Sequence, residues 1–252
     1  MTQQSKNDMR ERLDQVLVRR GLVKSRSRAR DLVMRRAVQV DGVFAEKPGQ
    51  LVEPEVPLNV DREANAHVAR SGAKLLAGLE AFELSAEGRV ALDVGASTGG
   101  FTQVLLEGGA TRVYAVDVGR DQLDAGLAAD QRVISLEGND VRRLSVSEVP
   151  EQVSAIAIDV SFISLSQVLP AAVSVAADRC WLIALIKPQF EVGRGGLSKR
   201  GLVRDEDAAA GAVERIRQGL MELGWQVLGA LPSPLAGKTG NSEILIGARR
   251  DA

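Results

Sequence analysis

From Val90 onward, short apolar runs alternate with longer amphipathic stretches, and this rhythm limits the fold more than any other feature of the chain. Seven runs read as strands: Val90–Val94, Arg112–Val116, Val133–Leu136, Ser154–Ile158, Trp181–Ile186, Trp225–Ala230 and Glu243–Ala248. Helix-length segments separate most of them, the pattern of βαβ units, so an α/β domain on a mainly parallel sheet is expected. In such sheets ligands bind beyond the carboxyl ends of the strands, and the chemistry should be sought there.

The first strand ends in Asp93-Val94-Gly95-Ala96-Ser97-Thr98-Gly99-Gly100-Phe101, where three glycines and a serine let backbone N–H groups approach a ligand closely. Asp93, Gly95, Ala96, Ser97, Gly99, Gly100 and Phe101 are therefore candidate cofactor positions. The second strand runs into Asp117, placed to accept from ribose hydroxyls, and the third leads to Asn139 and Asp140, which could meet an adenine edge. A glycine loop with a strand-two acid also suits a dehydrogenase. The spacing is not G-x-G-x-x-G, which weighs against a dinucleotide and favours S-adenosylmethionine.

Later strand ends are more specific. The fourth gives Asp159-Val160-Ser161-Phe162, the fifth Lys187-Pro188-Gln189-Phe190-Glu191, and the last begins Asn241-Ser242-Glu243. This winding should bring Asp159, Lys187 and Glu243 to one rim, with Asp159 a candidate cofactor position as well. A lysine directly after Trp181-Leu182-Ile183-Ala184-Leu185-Ile186 is buried or half-buried and needs a partner. A purely structural ion-pair network would carry a desolvation cost that apolar residues avoid, so a functional cluster is the preferred reading.

The first 60 residues differ in charge. They hold 12 Lys and Arg against 8 acids, although the whole chain has a net charge of -1. Between Arg10 and Arg36 ten basic residues face three acids, a balance of +7. Leu13, Val16 and Leu17, then Ala29, Leu32 and Val33, recur at helical spacing, with Gly21 expected as the first C-cap and Ser25 as the second N-cap. Val38-Gln39-Val40-Asp41-Gly42-Val43 predicts a hairpin. A cationic face without interleaved acids suits a phosphate backbone, and arginine suits folded RNA because its planar fork pairs phosphates and stacks on bases. Candidate RNA contacts are Arg12, Arg19, Arg20, Lys24, Arg26, Arg28 and Arg30, with Arg70 in the connecting stretch and Arg194, Lys199 and Arg200 in a glycine-rich segment. That last segment reads equally well as a surface loop or a substrate-gripping one.

Scarcities exclude other chemistries. Cys180 and His67 are the sole residues of their types, so neither an internal disulfide nor a cysteine- or histidine-rich metal site is expected. The charged N-terminus lacks the apolar segment of a signal peptide, and the uncharged run from Val160 to Ala177 is interrupted by serines, Gln167 and Pro170. A cytoplasmic, membrane-free protein is expected. Residues 1–60 should form the basic domain, 61–70 a linker and 71–252 the α/β domain.

The segment from Arg12-Leu13-Asp14 through Arg19-Arg20-Gly21 and Ser25-Arg26-Ser27-Arg28-Ala29 to Val40-Asp41-Gly42 resembles an S4 domain, a small α+β RNA-binding fold. Together with His67 to Leu75, Asp93 to Phe101, Asp159 to Phe162, Lys187 to Phe190 and Asn241 to Glu243, it resembles the TlyA-type ribosomal RNA 2′-O-methyltransferases, sometimes labelled haemolysins. That resemblance implies a Rossmann-like class I methyltransferase domain with a seven-stranded sheet and S-adenosylmethionine as methyl donor. It further implies ribosomal RNA or ribosomal subunits as partner and a cytidine ribose as acceptor. Its methyltransferase domain is similar to the FtsJ-type enzymes, whose Lys-Asp-Lys-Glu tetrad falls on Lys74, Asp159, Lys187 and Glu243. Where Tyr-Val-Ser-Arg-Gly-Gly is expected before the first lysine, this chain has His67-Val68-Ala69-Arg70-Ser71-Gly72.

On this reading Lys187 orients or deprotonates the 2′-hydroxyl, Asp159 and Glu243 position it, and Lys74 orients the acceptor ribose or a neighbouring phosphate. The sulfonium and burial favour a neutral amine while the acids favour an ammonium, so the two influences oppose each other. The alternatives are a non-catalytic ribosome-binding or assembly factor with a vestigial methyltransferase fold, a nucleotide-dependent oxidoreductase, and a pore-forming haemolysin. No membrane-like segment supports the last.

Overall fold

The computed structural model describes residues 10–23, 26–34, 36–61, 69, 71–198, 200–204, 206–235 and 241–251. The chain divides into two compact units, Met1–Arg70 and Ser71–Ala252.

In the first unit, β1 (Glu11–Arg12) leads into α1 (Leu13–Arg19), which buries Leu13, Val16 and Leu17. The chain reverses at Gly21, where φ is 67°, and Leu22 N–H then donates to Leu17 O at 3.0 Å. Ala29, Leu32 and Val33 of α2 (Arg26–Met34) complete the helical side of the core. The expected N-cap, Ser25, lies outside the described residues. β2 (Val38–Val40) and β3 (Val43–Phe44) form the expected hairpin, with positive φ at both turn residues, Asp41 (51°) and Gly42 (78°). β4 (Leu51–Val52) pairs with β1, and β5 (Leu58–Val60) with β2. These two short strands are too brief for alternation to announce them.

The second unit opens with α3 (Gly72–Ala81), then runs β6 (Val90–Val94), α4 (Gly100–Glu107), β7 (Arg112–Asp117), α5 (Ala125–Ala128) and β8 (Val133–Glu137). It continues through β9 (Val153–Ile158), α6 (Leu165–Ser174), β10 (Ala176–Ile186), α7 (Pro188–Glu191), α8 (Glu206–Glu222), β11 (Gln226–Pro232) and β12 (Ile244–Asp251). All seven expected strands form one sheet in the order β11-β12-β10-β9-β6-β7-β8. β6 to β10 run parallel, and β12 is antiparallel to both β10 and β11.

Alternate strand residues feed two cores. Leu92, Ile156, Leu182 and Ala184 face one side with α6 and α8, whereas Ala91, Ala155, Ile183 and Leu185 face the other with α3 and α4. Burial on both faces explains why these strands read as continuous apolar runs. β10 starts earlier than expected, at Ala176. Its polar stretch through Asp178 and Arg179 extends by pairing with the end of β12, as in Arg179 opposite Asp251. The apolar run from Val160 resolves into a loop, α6 with Pro170 inside it, and the start of β10. Among the described residues no helix is long and apolar enough to cross a membrane.

β7 and β8 extend the sheet on one side of β6, and β9 returns to its other side. The strand order therefore reverses between β6 and β9, which fixes where a ligand crevice opens.

Candidate active site

At that reversal the chain tolerates no side chain. A Cβ on Gly95 would lie 2.4 Å from the carbonyl oxygen of Asp159, and Gly95 has φ of 85°. Ser97 (φ 48°) and Gly99 (φ 97°) continue the left-handed turn that delivers the chain into α4. Beside this loop lies a pocket of about 800 Å³. Gly95, Ser97, Asp117, Asn139, Asp140 and Asp159 of the expected cofactor positions line it.

Others do not reach it. Ala96, Gly99, Gly100 and Phe101 are buried in the turn and the start of α4. Asp93 is also removed from the pocket. It is fully buried, Oδ2 accepts from Thr102 Oγ1 at 2.6 Å, and Oδ1 has no hydrogen-bond partner among the described residues. Burial pushes its carboxyl up to about 7 against the opposing Thr102 bond, with the charges of Asp159 and Asp117 adding to the rise. Asp93 thus supports the loop from within and does not line the pocket.

Asp117 accepts from Ser97 N–H at 2.8 Å and Gly119 N–H at 2.7 Å, so it orders the two loops that flank the pocket. Its remaining lone pairs can take hydroxyl donors. Asp140 is gripped by Arg142, whose Nε and Nη2 donate to the carboxylate at 2.5 to 3.1 Å. That guanidinium holds the Asp140 carboxyl down at about 2, so it stands in the pocket wall as an ionised acceptor.

The rim carries the four expected catalytic residues. Asp159 follows β9 directly, Lys187 follows β10, and Glu243 precedes β12, whose Ile244 pairs with Ile186. Lys74 reaches the rim from the first turn of α3. The four separate into two pairs rather than setting Lys187 between two acids. Lys187 Nζ lies 2.5 Å from Asp159 Oδ1 and donates to Ser161 Oγ at 2.9 Å. Glu243 instead accepts from Lys74, and both of those side chains are buried. Taking such ions out of water costs several kcal/mol each, and their attraction often only offsets it, so placement rather than stability accounts for them.

Sequence reasoning missed the aromatic edge. Phe162 has φ of 66° and is 91% exposed, and its ring lies 5.1 Å from that of Phe190, both lining the pocket. An exposed phenylalanine in a left-handed conformation is costly, and only its place next to Ser161 could have signalled a role.

Among the described residues, most of the expected basic positions are held in place. Asp14, wholly buried, accepts from Arg12 Nη2 at 3.0 Å and Arg26 Nη2 at 3.3 Å on the same oxygen. Arg19 is bidentate to Glu11, and Arg20 Nη1 donates to Val56 O at 2.6 Å. Arg30 and Arg200 are exposed, whereas Arg28 is half-buried and has a partner. Lys24, Arg70, Lys199 and the side chain of Arg194 lie outside the described residues. The described residues of the glycine-rich segment lie in a turn. Leu197 bridges Val203, and buried Asn241 accepts from Val203 N–H at 3.0 Å while donating to Gly201 O at 3.0 Å. Asn241 therefore fastens this basic turn to the strand end that carries Glu243.

Residues 67–250 match the FtsJ-like methyltransferase family and residues 11–57 the S4 domain. The chain is 43% identical to the 16S/23S rRNA (cytidine-2′-O)-methyltransferase TlyA of Mycobacterium tuberculosis over 241 residues, 95% of this chain and 90% of that one. Hemolysin A of Brachyspira hyodysenteriae is 34% identical over 93% of this chain and 98% of its own. A solved hemolysin-like structure from Streptococcus thermophilus matches with a TM-score of 0.75 at 38% identity, covering 96% of this chain and 88% of that one. With an S4 domain ahead of an FtsJ-like methyltransferase domain, and almost its whole length matched, the chain belongs to the TlyA-type methyltransferases of the hemolysin A family.

Proposed function

We propose that the protein methylates the 2′-hydroxyl of a cytidine in ribosomal RNA, using S-adenosylmethionine, and that it does so in the cytoplasm where ribosomes are. The observation that carries this reading is the Lys187–Asp159 ion pair at 2.5 Å on the rim of the switch-point pocket. TlyA of Mycobacterium tuberculosis is named for that reaction on cytidine.

The pocket fits the donor. Gly95 leaves the backbone open where a Cβ would collide with Asp159, Asp117 offers a carboxylate to hydroxyl donors, and Asn139, Asp140 and the exposed Val118 lie along the same wall. The bound donor would supply an activated methyl group, leaving the protein to orient the acceptor. Orientation of this kind is worth up to roughly 7 to 11 kcal/mol in well-aligned intramolecular reactions.

Lys187 holds and orients the acceptor hydroxyl as an ammonium, and takes the hydroxyl proton as the oxygen attacks only after passing one of its own protons to the Asp159 carboxylate. Asp159 and Ser161 fix the amine, so its rotamer is set before RNA arrives. Lys74, committed to Glu243 by one of its three donors, keeps the others for the ribose or an adjoining phosphate. Phe162 presents an open ring on which an unstacked base can rest, as aromatic side chains do in RNA recognition. Arg12 and Arg26 share one acid, and their side chains are 44% and 55% exposed. Two cations on one carboxylate leave a net positive charge with donors directed outward, suited to a phosphodiester. Incubating the protein with ribosomal subunits and isotopically labelled methyl donor, then mapping the RNA by mass, tests the proposal. Label on a cytidine 2′-oxygen supports it, and label on a base or none at all refutes it.

A further inference from the structure

Two loops build the acceptor side of the pocket. One runs from Asp159 through Ser161 and Phe162 to the start of α6 and lines the pocket along its length, and the other is Lys187 with the single turn of α7, of which Phe190 lines the pocket. They are joined at successive points. Lys187 meets Asp159 and Ser161, and Phe190 packs on Phe162. At the far end, Glu191 Oε2 accepts from Ser164 Oγ at 2.6 Å and Oε1 from Leu165 N–H at 2.8 Å.

This last tie differs in kind from the others. Ser164 is the N-cap of α6, and its hydroxyl also accepts from Ser166 N–H at 3.2 Å. Glu191 therefore satisfies an orphan amide at a helix N-terminus from outside that helix, where the helix dipole favours a carboxylate. Its own backbone is held too, since Arg215 Nη2 of α8 donates to Glu191 O at 3.2 Å. Glu191 is thus tied to the start of α6 through its carboxylate and to α8 through its backbone carbonyl. Glu191 does not line the pocket itself.

We infer that Glu191 is a positioning residue for methyl transfer, locking the Lys187 loop to the Phe162 loop so that the amine and the aromatic platform are held at a fixed separation. This inference rests on the ribose methyl transfer proposed above. A misplacement of about 1 Å can cost roughly 100-fold in rate without touching the reacting atoms.

Two measurements test it. Amide hydrogen exchange on the purified protein reads the tie without any activity. Glu191→Ala should speed exchange at Leu165 and through residues 160–165 and 187–191, leaving β6 and β9 unchanged. Single-turnover methylation of ribosomal subunits should fall about 10- to 100-fold in Glu191→Ala, with affinity for S-adenosylmethionine changed less than about threefold. Glu191→Gln, whose amide oxygen can still accept from Leu165 N–H, should recover most of the rate. Unchanged exchange in both loops overturns the inference, as does a rate loss matched by an equal loss of cofactor affinity. Should wild-type protein not methylate ribosomal RNA at all, the proposed function fails, while the exchange result still decides whether Glu191 ties the loops.

Discussion

At the scale of single residues, Asp93 shows how a strand end misleads. Its place before a glycine loop reads as a ligand contact, yet strand parity decides otherwise. Leu92 and Val94 turn to the α6 side, so Asp93 turns toward α4 and finds Thr102. That parity was present in the sequence and could have been applied. Because burial raises the Asp93 carboxyl to about 7, the folded state holds a proton that the unfolded chain has already lost. Stability should fall as pH rises from about 4 to about 7, by up to roughly 4 kcal/mol from this group, and then level off. Asp93→Asn removes the titration, so denaturant unfolding of the variant should show a flatter dependence over that window. An identical slope in both proteins would deny Asp93 this role. Gly95 gives a second test: Gly95→Ala adds a methyl where 2.4 Å is available and φ is 85°. It should cost about 1 to 3 kcal/mol in backbone strain alone and abolish tight cofactor binding, readable by thermal melting and calorimetry.

At the scale of elements, the rim loops were legible in part. The strand-end rule located Asp159, Lys187 and Glu243 because each flanks an apolar run, but it could not assign partners. Pairing depends on Lys74, which arrives from a helix 85 residues before Asp159 in the chain, and long-range packing of that kind leaves no local trace. Phe162 was hidden for the opposite reason. Apolar residues in a run argue for burial, whereas this one is exposed. Phe162→Ala should lower RNA methylation by about 10-fold or more, since base stacking is worth about 1 to 3 kcal/mol, with cofactor affinity little changed. Equal turnover by the variant would remove the stacking role. The basic turn pinned by Asn241 exposes Arg200 and Arg204. Replacing both with alanine should weaken RNA binding and flatten its dependence on salt, by up to about 0.7 to 0.9 in slope per lost phosphate contact. Unchanged binding would leave the turn a surface feature.

At the scale of the whole molecule, charge is divided along the chain as its parts are. The +7 segment falls within the first unit, which holds the S4 match, and the FtsJ-like methyltransferase match covers residues 67–250. The two-helix core and hairpin of the first unit were readable from periodicity and the Asp-Gly turn, while the capture of Arg12 and Arg26 by Asp14 was not. An acid that looks like a lone neutralising charge is instead the buried post on which two forks are mounted. Each unit has its own buried core. Residues 71–252 alone should therefore keep cofactor affinity and lose most RNA affinity, a division that parallel titrations with each ligand would show.

In the proposed reaction Lys187, held by Asp159 and Ser161, handles the ribose oxygen. Single-turnover methylation of ribosomal subunits by Lys187→Ala, alongside calorimetric titration with S-adenosylmethionine, addresses it most directly. Retained cofactor affinity with methyl transfer reduced at least about 100-fold is the expected result, in line with the loss of a proton-transfer group. Turnover near that of the unaltered protein, with the label still on a 2′-oxygen, would contradict it.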